Sequence, residues 1–116
     1  MNDPNLILQV VFYKSELGNE PVREWLKSLS RNEKKIIGTD VKTVQFGWPM
    51  GIPLVKKLVA NLWEVRISLD NKIARVIFTV KDDKMILLHG FIKKSQKLPE
   101  KELDIAKNRL NNLSIN

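Results

Sequence analysis

The hydrophobic residues of this chain change their spacing along the sequence, and each spacing predicts a type of element. A short apolar run over residues 6–13 predicts a first strand. Helical spacing then begins behind Pro21, which suits a first helical position, and again behind Ser30 and Glu33, which form a capping-box pattern. The apolar positions of these two helices are Val22, Trp25, Leu26 and Leu29, and then Ile36, Ile37, Val41 and Val44.

After the second helix, hydrophobic residues recur at every second position of the sequence. Two Gly and two Pro over residues 47–54 predict an irregular connection. Apolar and polar residues then alternate over 63–69 and 74–80, on either side of a polar turn at 70–72, which predicts an antiparallel hairpin. A third strand over 85–92 completes a meander, and a last helix begins at Pro99. On the third strand we expect Leu87, His89, Phe91 and Lys93 to share one face, with Leu88, Ile92 and Lys94 on the other.

This order of elements predicts an α+β fold. The N-terminal strand and the three-stranded meander would form a small, antiparallel-dominated sheet, and the two N-terminal helices and the C-terminal helix would cover one of its faces. A chain of 116 residues is long enough for one core, so we expect a single domain over residues 1–116.

The composition predicts a cytoplasmic protein without a membrane segment. Hydrophobic residues make up 43% of the chain and charged residues 28%, which is too apolar for disorder and too interrupted by charge to span a bilayer. The N-terminal residues lack the basic stretch of a secretory signal.

The charge of the chain favours a polyanionic partner. Lys and Arg number 20 against 13 Asp and Glu, for a formal net charge of +7. Residues 56–97 hold ten of the positive charges and four of the negative ones, so nearly all of the excess lies in the predicted meander and just after it. A cationic sheet face of this kind suits a nucleic-acid backbone.

The absence of some residue types limits the chemistry. The chain has no Cys and one His, which excludes disulfides, thiolate metal sites and Cys nucleophiles, as well as chemistry that needs two His from one subunit. A Gly-rich phosphate loop, a zinc-protease motif, a serine-hydrolase elbow and a DNA-reading helix-turn-helix pattern are also missing.

The sheet face away from the helices is expected to carry Arg66, Arg75, His89, Phe91 and Lys93. Each has an ordinary structural alternative. His89 can be a satisfied structural residue, Phe91 can belong to the core, and the lysines at 93, 94 and 97 can form a solvated strand end. The two arginines need a partner in mid-strand, which is either a carboxylate such as Glu64 or a bound anion.

Three segments give the chain a family resemblance. They are 62–66 (LWEVR), 75–78 (RVIF) and 87–97 (LLHGFIKKSQK), with Pro99 following. Together with the element order, they resemble the HigB-like, phage-derived branch of the RelE/ParE toxin superfamily. One departure is Leu98, where the family commonly has a Thr that would cap the last helix.

The resemblance implies the toxin of a type II toxin-antitoxin system. Such a toxin is a ribosome-dependent endoribonuclease that cuts translated mRNA without a metal or other cofactor, by attack of the ribose 2′-hydroxyl on the adjacent phosphate. By position, Arg75 corresponds to a phosphate-binding arginine and Arg66 to a basic residue on the preceding strand. Lys93 and Lys94 correspond to a basic pair that could act as acid or base, with His89 as the alternative.

The same resemblance implies RNA-binding residues and protein partners. Phe91 would stack on a base, and Lys57 and Lys97 would hold flanking phosphates. The partners would be the ribosome, mRNA and a cognate antitoxin, expected to be a small helix-turn-helix protein. Two alternatives keep the fold without the cleavage: a ParE-like gyrase inhibitor, or a domain that only binds RNA.

Overall fold

The structure is a computed structural model that describes residues 7–93 and 99–115. Within these residues three helices and five strands follow one another, which confirms the predicted α+β class. They are β1 Gln9–Phe12, α1 Pro21–Lys27, α2 Arg31–Gly47, β2 Val55–Val59, β3 Leu62–Leu69, β4 Lys72–Lys81, β5 Lys84–Lys93 and α3 Glu100–Ile115. The predicted roles of Lys94 and Lys97, and the departure at Leu98, lie outside the described residues.

The five strands form one mixed sheet in the order β1-β5-β4-β3-β2. The predicted meander is present as β3, β4 and β5, and β1 joins it in parallel alongside β5. Strand β2, which pairs antiparallel with β3, was not predicted. Its sequence VKKLV contains two adjacent lysines and only one fully buried side chain, so it lacks a clear alternating pattern.

Helices α1 and α2 cover one face of the sheet, where they bury the larger hydrophobic cluster. Helix α2 begins at the predicted capping box: the Glu33 amide donates to Ser30 Oγ at 3.1 Å, and the Ser30 amide donates to Glu33 Oε1 at 3.0 Å. Helix α1 packs closely on β5 because Gly90 has no side chain and leaves room for the Trp25 ring. These contacts place the first two helices as the sequence predicted.

Helix α3 lies on the opposite face, so the prediction that all helices cover one face was wrong. It packs against β5 and β4 over a second hydrophobic cluster, which includes the fully buried Ala106, Ile77 and Leu88. The apolar stripe of α3 was correctly predicted, but a stripe does not specify which sheet face it covers.

A bulge in β5 also changes the predicted division of faces. Ile77 pairs with His89 and Phe78 with Leu87, so Leu88 is an extra residue in β5. Leu87 consequently joins the cluster under α1 and α2, whereas Leu88 joins the cluster under α3. Leu87 therefore does not share a face with Phe91, contrary to the simple alternation.

Within the described part of the chain, no helix is both long enough and apolar enough to cross a membrane.

Candidate anion-binding site

The basic residues of the central strands converge on the sheet face that carries α3. Cross-strand partners lie on the same face of a sheet, and Arg66 pairs with Arg75, which in turn pairs with Phe91. Glu64 on β3 pairs with Lys56 on β2. We call the group formed by Lys56, Glu64, Arg66, Arg75 and Lys93 the basic cluster.

A buried ion pair lies at the centre of the basic cluster. The Arg75 Nη1 atom donates to Glu64 Oε1 at 2.5 Å, and the side chains of Arg75 and Glu64 are only 3% and 0% exposed. Glu64 is therefore the carboxylate partner that a mid-strand arginine needs. Two other buried atoms of the pair, Glu64 Oε2 and Arg75 Nε, have no hydrogen-bond partner among the described residues. The pair holds the Arg75 guanidinium in one orientation, and its two unpartnered atoms are buried with it.

Lys93 is the member of the basic cluster whose pKa is displaced from its ordinary value. It is 8% exposed, and burial is the main reason that its pKa lies below the ordinary value of 10.5. The positive charges of Arg75, Arg66 and Lys56 lower the pKa further, while the negative charge of Glu64 opposes them. An amine in this setting releases its proton more readily than a surface lysine.

The basic cluster has the charge and geometry for a phosphate. Four cationic side chains stand against one carboxylate, and the orientation of Arg75 is fixed by Glu64. Arginine presents N–H groups in a planar fork that matches two phosphate oxygens, and a lysine of lowered pKa can take up or release a proton beside them. The charges of the cluster therefore suit a phosphate group, with Lys56 and Arg66 as its more exposed cations.

His89 lies on the same face but is held by α3. Its Nε2 atom is 3.1 Å from Glu102 Oε1, and its Nδ1 atom is 3.3 Å from Arg109 Nη1. Arg109 also donates to the Leu88 carbonyl at 2.7 Å, which fastens α3 to β5. Burial lowers the pKa of His89 below 6.5, although Glu102 acts in the opposite direction. These contacts are those of the structural alternative, and the predicted role as acid or base stays a prediction.

Phe91 is buried between the basic cluster and α3. Its ring is 8% exposed and stacks on the His89 ring, with 5.5 Å between centroids and 22° between planes. It belongs to the hydrophobic cluster under α3. In this conformation the ring packs in the core, and base stacking by Phe91 stays a prediction.

The lysines on β2 lie on opposite faces of the sheet. Lys57 pairs with Trp63, which packs on the side of α1 and α2, so Lys57 lies away from the basic cluster. Its neighbour Lys56 pairs with Glu64 on the cluster side. Lys57 was predicted to bind RNA and Lys56 was not; alternation along β2 separates the two lysines, and the pairing of β2 with β3 decides which of them joins the cluster.

The described residues contain no group of three or more His, Cys, Asp or Glu side chains that could hold a metal ion.

The fold and the basic cluster define a small α+β protein with a phosphate-compatible sheet face. The family model for phage-derived Gp49-like proteins (DUF891) matches residues 24–111, which is most of the chain. The chain therefore belongs to the Gp49-like family, which is a RelE-like, toxin-like family. A search of the curated proteins finds no match.

Proposed function

We propose that this protein is the toxin of a type II toxin-antitoxin system, with a RelE-like fold and the activity of a ribosome-dependent mRNA endoribonuclease. The observation that carries the proposal is the basic cluster, in which Arg66, Arg75 and Lys93 surround one buried carboxylate. Membership of a toxin-like family supports the same conclusion. The HigB-like branch is the proposed assignment within that family.

The cluster supplies the parts that metal-free RNA cleavage needs. The 2′-hydroxyl must lose a proton as its oxygen bonds to phosphorus, and the phosphorane that forms carries two negative charges. The P–O5′ bond then breaks, which leaves a 2′,3′-cyclic phosphate, and the departing 5′-oxygen takes up a proton from water. We assign the removal of the 2′-hydroxyl proton to Lys93, whose pKa is lowered by burial and by neighbouring cations. Arg75 and Arg66 would stabilise the phosphorane, and Glu64 would position Arg75.

The proposed partners are the ribosome, translated mRNA and an antitoxin. Translated mRNA is the substrate and offers the phosphodiester that the basic cluster would bind. An antitoxin that silences the toxin would need to cover this cluster or compete for its positive charge, so acidic side chains are expected in its contact segment.

The test is cleavage of a defined mRNA in a translating extract. The wild-type protein is expected to produce cuts in phase with the codons. Lys93→Arg keeps the positive charge but replaces the amine with a group that stays protonated, so cleavage should fall by about 10²-fold or more. Lys81→Arg is the matched control. Lys81 is exposed at the far end of β4, so this variant should cut mRNA as the wild-type protein does.

The pH profile separates a base from a purely electrostatic role. If neutral Lys93 is the base, wild-type cleavage rises with pH and levels off below pH 10.5, because the pKa of Lys93 is lowered. Lys93→Arg should lose this rise. A translation block without codon-phased cuts would overturn the nuclease proposal and favour a toxin that acts by binding. Equal cleavage by wild type and Lys93→Arg would overturn the role of Lys93.

A further inference from the structure

A pocket of about 540 Å³ lies at the edge of the sheet next to the basic cluster. Its apolar walls are Ile36 from α2, Leu54 from the segment before β2, and Ile73 from β4. Asp40 and Arg66 add two charged groups to the lining. This volume is within the range of about 300–1,000 Å³ that is typical of small-molecule sites.

The pocket and the basic cluster are connected through two residues. Arg66 belongs to both, and Ile73 pairs directly with Lys93 across β4 and β5. A nucleotide whose phosphate lies in the basic cluster would therefore have the pocket within reach of its attached base. The apolar walls suit the faces of a base, because unpaired bases in RNA are bound by packing on side chains and by hydrogen bonds to their edges.

Asp40 is the carboxylate of this pocket, whose other polar lining residues are Arg66 and Ser68. It lies one helical turn after Ile36 on α2, so both side chains are on the same face of the helix. The carboxylate is half-buried, and among the described residues it has neither a hydrogen bond nor an ion pair. Burial raises its pKa above the ordinary value. A half-buried carboxylate without a partner among the described residues is suited to a ligand that donates hydrogen bonds.

The chemistry of the four bases selects among the ligands. The Watson–Crick edge of guanine presents two adjacent donors, N1–H and the N2 amino group, which match the two oxygens of a carboxylate. Adenine and cytosine present a single donor group on that edge, and uracil presents only N3–H. An acceptor-only side chain beside the apolar walls of the pocket therefore favours guanine.

We propose that this pocket binds a guanine base next to the cleaved phosphate, and that Asp40 reads its N1–H and N2–H₂ donors. The inference rests on the proposed function for its choice of RNA as the ligand. Asp40 would be a specificity-determining residue, while Arg66 holds the phosphate that leads into the pocket.

The experiment maps cut sites in a translating extract on paired mRNAs that differ by guanine or adenine at single positions. The wild-type protein should prefer guanine at one fixed position beside the cut by about tenfold. Asp40→Asn has the same shape but offers one donor and one acceptor, the pattern that pairs with adenine, so the preference should shift from guanine to adenine. Asp104→Asn, at an exposed position of α3, is the matched control and should keep the guanine preference.

A binding measurement keeps this inference separate from the nuclease proposal. Guanosine 3′-monophosphate, titrated into the wild-type protein without ribosomes, should bind about tenfold more tightly than the adenosine, cytidine and uridine monophosphates, and Asp40→Asn should lose that difference. If mRNA is cut but wild type and Asp40→Asn show the same base preference, the guanine pocket is wrong and the nuclease proposal stands. If mRNA is not cut, equal binding of the four monophosphates overturns the pocket and selective binding of guanosine monophosphate supports it.

Discussion

The buried pair between Arg75 and Glu64 provides the sharpest test of how the basic cluster is built. The change is Arg75→Met, which removes the guanidinium and leaves the Glu64 carboxylate buried without its partner. Both side chains are at most 3% exposed, so solvent screens the charge very little. Breaking a buried ion pair on one side costs about 3–5 kcal/mol, and we expect the free energy of unfolding to fall by about that amount.

A double variant distinguishes an unpaired charge from a simple loss of packing. Glu64→Leu combined with Arg75→Met replaces both charges by apolar side chains and keeps the net charge of the cluster. Buried ion pairs replaced in this way often keep or gain stability, so the double variant should be clearly more stable than Arg75→Met alone. The measurement is urea unfolding at pH 7, followed by circular dichroism.

The control for these variants is Lys72→Met, which breaks the 2.6 Å ion pair between Lys72 and Glu33. The Lys72 side chain is 40% exposed, so its loss should destabilise the protein much less than the loss of Arg75. A loss of stability for Arg75→Met no larger than for Lys72→Met, or a double variant less stable than Arg75→Met alone, would contradict a buried ion pair of this strength.

Two further predictions concern the packing of β5. Gly90→Ala places a methyl group against the Trp25 ring and should lower the free energy of unfolding by about 1–3 kcal/mol. Gly38→Ala is the control, since its methyl group meets no atom within 4 Å and should stabilise α2. Thermal unfolding compares the two variants, and equal effects would contradict the close packing of Gly90 on Trp25. His89 has a pKa lowered from 6.5, so below pH 6.5 the unfolded chain binds more protons and stability should fall as the pH falls. His89→Gln should flatten this dependence in urea unfolding between pH 7.5 and pH 5, and an unchanged slope would assign it to other groups.

Much of the fold followed from local pattern. The Ser30 and Glu33 capping box, the stripe of α3 and the alternation of β3 and β4 are each set by residues close together in sequence, so they could be predicted without tertiary information. Strand β2 was missed because its two lysines and half-exposed surface obscure the period of two. An edge strand buries few of its side chains, which weakens the pattern that identifies it.

The candidate site was predicted only in part, because part of it follows from local alternation and part from the pairing of strands. Alternation correctly placed Arg66, Arg75 and Lys93 on one face. Of the two kinds of partner expected for the arginines, a carboxylate such as Glu64 or an anion, the structure shows Glu64 on Arg75. Lys56 joins the site only through the pairing of β2 with β3. A contact between strands depends on register, and a residue of β2 gives no local indication of which partner it will face.

By itself, the sequence determined the α+β class, the meander and the presence of an arginine-rich and lysine-rich face, because charge and hydrophobic period are local properties. The tertiary structure alone decided that α3 lies on the face of the basic cluster and that His89 is held between Glu102 and Arg109. It also decided that the bulge at Leu88 sends Leu87 to the other side, and that Asp40 and Arg66 line one pocket. Contacts between residues far apart in the chain are set by packing and strand register, and the bulge is set by one extra residue in the pairing of β5 with β4. Neither can be read from a local pattern.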